Sequence, residues 1–177
     1  MTTERPGSDQ DIPEAVRTAA AGREAFTPSD GGYRVETTQF DARVTATEGD
    51  PEWKTDFTVT VQAPTLDATV DGEVGSAVRD GWLDTLERRL EDAPVATRVQ
   101  VDLTAFSVTA ADGTVTVVYE FALGDAGTGL DVAKTFVEYV EGTYVEGVVP
   151  GYDYRPPVAD LLSEASQSDG ERGGTPL

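Results

Sequence analysis

The sequence predicts an α+β domain, an antiparallel sheet of about five strands with helices gathered on one face. Three features predict it. Phe57, Val59, Val61 and Ala63 alternate with Thr58, Thr60 and Gln62, the two-residue period of a strand with one wet face. Val74, Val78, Trp82, Leu86 and Leu90 recur at every fourth position beside Leu83, with Asp80, Asp84, Glu87 and Glu91 on the other side, as an amphipathic helix requires. Asp112-Gly113 stands between two segments of strand period and suits a two-residue type I′ hairpin.

In chain order, a short helix is expected from Pro13, a residue suited to the first helical position, with Ile12, Val16, Ala19 and Ala20 inward. Gly22 or Thr27-Pro28 stops it. A meander follows: Tyr33 to Phe40, Ala42 to Thr47, and Phe57 to Ala63, ended by Pro64. The amphipathic helix spans about Asp71 to Glu91. Beyond Pro94, Arg98 to Ala110 and Thr114 to Leu123 form the hairpin, with Val115, Val117, Tyr119 and Phe121 on its buried side. A glycine-rich loop, Gly124 to Gly129, leads to a long helix over Asp131 to Glu146 with Val132, Phe136, Tyr139 and Val140 inward. Gly147 and Pro150-Gly151 break it, and Val158, Leu161 and Leu162 suggest a closing helical turn or two. Residues 12–165 form one domain; the polar stretch 1–11 and the Ser/Gly-rich stretch 166–177 are expected to be mobile.

Charge narrows the setting. Thirty-three acidic residues face 13 basic ones in 177, a net charge of −20, where a small soluble domain needs a magnitude of only about 2 to 8. Lys54 and Lys134 are the only lysines. Such a coat repels itself at low ionic strength. At about 1 M salt the Debye length falls to about 3 Å and the repulsion nearly vanishes. The acids are spread along the whole chain rather than gathered in a tail, so a salt-adapted folded domain is preferred over a nucleic-acid mimic. With no basic stripe, neither nucleic acid nor an anionic membrane is an expected partner. No stretch is long and apolar enough to span a bilayer, and the first 25 residues lack a signal-peptide pattern, so the expected location is cytoplasmic.

The chemistry is equally restricted. Cysteine and histidine are both absent. That removes disulfides, thiolate and imidazole metal sites, the Ser-His-Asp arrangement, and the one side chain that ordinarily titrates near neutrality. Asp80, Asp84, Glu87 and Glu91 could hold a hard cation with help from elsewhere, but a solvated face of an acidic protein is the plainer reading. Asp67, Thr69, Asp71 and Gly72 imitate the opening of a calcium loop, yet Val78 stands where the bidentate glutamate belongs. Gly124, Gly127 and Gly129 lack the Lys-Ser/Thr ending of a phosphate loop, and Asp125 and Asp131 would repel phosphate; an ordinary strand-to-helix connection is favoured. Lys134, between Asp131 and Glu138, reads as a surface ion pair. No catalytic, cofactor or metal residue is therefore assigned, and no cofactor is expected. Tyr139, Tyr144, Tyr152 and Tyr154 crowd one segment and make a candidate interaction surface; ordinary packing over the sheet is the alternative. Trp82 is read as core.

The order helix, three strands, helix, two strands, helix resembles the topology of type III secretion chaperones and YbjN-like proteins, which are small, acidic and often dimeric binding domains. That resemblance implies a protein-binding role and carries no motif. A closer one rests on three blocks: YRVETTQFD with Ala42 to Ala46 after it, VRDGWLDTLERRL from Val78 to Leu90, and FVEYVEGTYVEGVVPGYDYRPPVADLL from Phe136 to Leu162. They resemble a family of uncharacterised haloarchaeal proteins, a domain of unknown function, which lends no catalytic residues. The leading expectation is a non-enzymatic protein-binding module, self-associating or binding a partner through the Tyr139 to Tyr154 segment or the open face of the sheet. A carboxylate enzyme, with or without magnesium, and a small-ligand sensor are the alternatives.

Overall fold

The computed structural model describes residues 12–172. A six-stranded antiparallel sheet has the order β1-β2-β3-β4-β6-β5, with β1 Phe26–Ser29, β2 Gly32–Val35, β3 Asp41–Glu48, β4 Thr55–Pro64, β5 Leu103–Ala111 and β6 Thr114–Leu123. The helices are α1 Glu14–Ala21, the single turn α2 Leu66–Thr69, α3 Ser76–Leu90, α4 Ala126–Glu146 and α5 Val158–Arg172, with a 3₁₀ turn at Ala93–Ala96. Alternation along the strands decides which face is covered. Along the middle of β3, β4 and β6, Val44, Val59, Tyr119 and their alternate neighbours are buried under α4, while the intervening residues, among them Thr45, Thr60 and Val118, lie on the other face and are not buried. The α+β prediction holds, with one strand more than expected.

That extra strand is β1. Phe26 to Ser29 pairs with β2 through a two-residue turn in which Asp30 and Gly31 both have positive φ, 23° and 75°. It is a second Asp-Gly hairpin of the kind predicted at Asp112-Gly113, where φ is 52° and 79°. Thr27-Pro28, expected only as a stop, lies inside the strand because an edge strand tolerates the missing N–H. Strand β2 is shorter than the predicted Tyr33 to Phe40. After Val35 the chain bends away, and the Glu141 carboxylate on α4 accepts the Gln39 amide at 2.7 Å. Likewise β5 begins at Leu103, not Arg98.

The helices show where periodicity misleads. Four residues advance an α-helix by about 400°, roughly 40° beyond a full turn, so a row of every fourth residue winds off the core. Leu90, Leu86 and Trp82 are buried, but Val78, three steps back, is 39% exposed, and α3 starts at Ser76 rather than Asp71. Helix α4 starts before the predicted Asp131. Asp125 caps it by accepting the Thr128 amide and hydroxyl, both at 2.8 Å. Glycine is needed at 129 because a Cβ there would overlap the buried Phe57 ring. The Gly124 to Gly129 stretch is thus mostly helix. Around α4 the rings interlock: Phe136 meets Tyr119 at 4.8 Å and Phe121 at 5.4 Å, and Phe121 stacks on Phe57 at 5.3 Å. The closing segment is a helix to Arg172 rather than a turn or two, so residues 166–172, placed by the sequence reading in a mobile tail, continue α5. Residues 1–11 and 173–177 lie outside the described residues.

Candidate functional site

The four tyrosines do not share one surface. Tyr144 is in the core, edge-on to Phe40 at 4.9 Å and to Trp82 at 5.5 Å, and its hydroxyl donates to the Pro64 carbonyl at 2.8 Å. Burial holds that phenol well above its ordinary pKa. Tyr139 and Tyr154 are half-buried and donate to the carbonyls of Arg89 and Val149; burial raises the Tyr154 phenol too. Tyr152 is half-buried beside them. Here the chain runs back against α2: Val70 bridges Tyr154, the Asp71 amide reaches the Asp153 carbonyl at 2.8 Å, and the Arg155 amide reaches the Thr69 carbonyl at 2.7 Å. Two of the hydroxyls thus tie α4 to the end of α3 and to the end of β4, the Tyr154 hydroxyl closes a local turn, and backbone bonds to α2 fasten the closing segment. Trp82 is core, as read.

The acidic row on α3 is exposed, and among the described residues no group of three or more acids is placed to hold a metal ion. Asp67 and Thr69 belong to the turn α2. Lys134 pairs with Glu138 at 3.2 Å, while Asp131 pairs with Arg23 at 3.3 Å.

Among the described residues, what the fold leaves open is the sheet face turned from the helices. Register sets its rows. Arg34 of β2 is directly across from Arg43 of β3, which is across from Thr60, which is across from Val118, and that from Ser107. Thr45, Thr58 and Glu120 form the adjoining row. Threonine suits such a face, since its branched side chain favours the pleat and its hydroxyl favours water. The arginine pair does not follow from that logic. Like charges directly opposite on neighbouring strands repel, yet Arg34 and Arg43 border a depression of about 420 Å³ with Ser29, Asp41, Thr60 and Gln62. Arg43 donates to the Ser29 carbonyl at 3.0 Å, and Arg34 is 3.9 Å from Glu36. The two guanidinium groups offer the depression donors for an anionic group, beside the Asp41 carboxylate that also lines it. Sequence reading missed it because the arginines are nine positions apart and meet only through strand register.

Trp53, also missed, lies in the β3–β4 loop at 66% exposure, with the Lys54 ammonium 5.3 Å from the ring centre and the ring close against Gly124. An exposed tryptophan held in place on two sides has the character of an interface anchor.

A helix-backed antiparallel sheet with one open face defines a two-layer α+β domain. The chain belongs to the family of unknown function DUF5813, whose model matches residues 21–164 and so takes in every strand of the sheet. No curated protein and no solved structure matches the chain. Among the described residues, no helix is long and apolar enough to cross a membrane.

Proposed function

We propose that the domain is a non-enzymatic protein-binding module, of adaptor or chaperone kind, working in a salt-rich cytoplasm and receiving its partner on the open face of the sheet. The observation that carries this is the Arg34–Arg43 pair facing each other on that face in a chain of net charge −20. Nearly every other surface of such a chain repels an acidic partner, whereas two guanidinium groups opposite one another are relieved by a carboxylate set between them. Threonines on the neighbouring rows offer hydroxyls that exchange hydrogen bonds with a polypeptide at little desolvation cost. Potassium chloride screens long-range attraction, so recognition rests on contact geometry and short-range hydrogen bonds. The acidic coat and the scarcity of lysine support the salt-rich setting.

The test is capture from a native lysate at high potassium chloride, comparing wild-type bait with an Arg34→Ala/Arg43→Ala bait of equal thermal stability. One protein enriched by wild type and lost with the variant is expected. No enriched protein, or a partner kept equally by both baits, would overturn the proposal.

A further inference from the structure

The sheet has two edges, and they differ. The β1 edge is four residues long and carries Pro28, devices that keep other strands from adding to it. The β5 edge is nine residues long, Leu103–Ala111, with the sequence LTAFSVTAA and neither charge nor proline. Among the described residues its only strand neighbour is β6. Charged residues make up 26% of the chain, so a neutral run of this length on an edge strand needs an explanation. An unguarded edge presents a row of backbone N–H and C=O groups that seek a partner strand.

We infer that β5 is a self-pairing edge: two copies of the chain join antiparallel along it, making one twelve-stranded sheet about a two-fold axis. Complementarity selects the occupant. A bulge between Leu103 and Ala105 leaves Ala105–Ala111 as the regular run, and its centre is Val108. A two-fold there sets Val108 against Val108 and Phe106 against Ala110 on the helix side of the sheet. On the open side it sets Ser107 against Thr109 and Ala105 against Ala111. The largest side chain, Phe106, then meets an alanine, and Asp112 falls across from Thr104, so no acid faces an acid along the seam. For two bodies of charge −20, such a neutral strip is where approach is least opposed.

Apolar exposure points the same way. Val95 and Val99, in the segment leading into β5, are 85% and 40% exposed, and they are two of the four large apolar side chains exposed among the described residues. Their segment borders α4 near Thr128 and Val132, on the helix side of the sheet. Joining two copies at β5 brings these valines to the margins of the seam, adding apolar area to the backbone pairing. Two open faces then become one continuous surface, with an Arg34–Arg43 pair toward each end.

The full chain is tested at constant high potassium chloride by sedimentation over a range of concentrations. A monomer–dimer equilibrium is expected for wild type. A Ser107→Lys/Thr109→Lys variant, altered at two exposed positions on the open side, should be monomeric throughout, with the melting temperature that wild type shows when dilute enough to be monomeric. Because the chain has no cysteine, Val108→Cys reports on the seam: mild oxidation should yield a disulfide-linked dimer, whereas Thr45→Cys on the open face should not. Wild type that stays monomeric at millimolar concentration would overturn the inference. So would a dimer indifferent to the lysines, or one in which Cys at 108 fails to link while Cys at 45 does. None of these outcomes depends on whether the arginine pair binds a partner.

Discussion

Replacing Tyr119 with phenylalanine removes one oxygen from the middle of the domain, and the chain's own geometry says what that oxygen does. The carbonyl of Leu90 ends α3, and its helical donor would be the amide four residues on; that residue is Pro94, which has no N–H. Tyr119 on β6 supplies the missing donor, its hydroxyl 2.7 Å from the Leu90 carbonyl, and both residues are fully buried. Burial also drives the phenol far above its ordinary pKa, so it stays a neutral donor at every working pH. Phenylalanine keeps the ring contacts with Phe106 at 5.2 Å and Phe136 at 4.8 Å, so the loss is confined to the hydrogen bond and a stranded buried carbonyl. That is worth about 1–3 kcal/mol, or a fall in melting temperature of roughly 2–12 °C for a domain of this size. Tyr139→Phe is the internal comparison. Its acceptor, the Arg89 carbonyl, also receives the Asp92 amide at 3.2 Å, so less is lost. Thermal and urea unfolding at fixed potassium chloride measure both. A Tyr119→Phe protein as stable as wild type, or a larger loss from Tyr139→Phe, would refute the capping argument.

Other expectations concern glycine, protons and salt. Within α4, Gly129→Ala should destabilise by about 1–3 kcal/mol because its methyl overlaps Phe57. Gly142→Ala, whose Cβ would meet open space in the same helix, should stabilise by about 0.5–1 kcal/mol; equal effects in urea melts would contradict the packing described. Burial, opposed by the Gln39 and Phe40 amides and reinforced by Glu164 and Glu138, holds the Glu141 carboxyl above its ordinary pKa. A carboxyl so raised binds its proton more tightly in the folded state than in the unfolded chain, so its contribution to stability falls as pH rises through the folded value. Glu141→Gln keeps an acceptor for the two amides and should melt higher than wild type near neutral pH, with the gap closing as pH falls below the carboxylate range. A lower melting temperature at neutral pH would reverse that sign. Finally, wild type should melt markedly later in molar potassium chloride than in dilute buffer, since the acidic coat repels itself where salt does not screen it. Equal melting in both would end the salt-adapted reading.

Elements whose signal is local were legible in the residues alone. The alternation in β4, the four buried residues of β6, the Asp112-Gly113 turn and the inward face of α4 are written in neighbours one to four positions apart. Composition likewise excluded histidine and cysteine chemistry without any coordinates. The β1–β2 hairpin had an equally local signal in Asp30-Gly31, but Pro28 disguised it, because a proline is tolerable only if the strand is at an edge, and edges are a property of the assembled sheet. Tyr144 looked like surface chemistry from its neighbours and became core through Pro64, a residue eighty positions away. The Arg34–Arg43 pair and the unguarded β5 edge were decided in the same way. Side-chain period tells which way a residue points relative to its own strand or helix; only the register and order of strands, set by long-range pairing, determine what stands beside it and what is left uncovered.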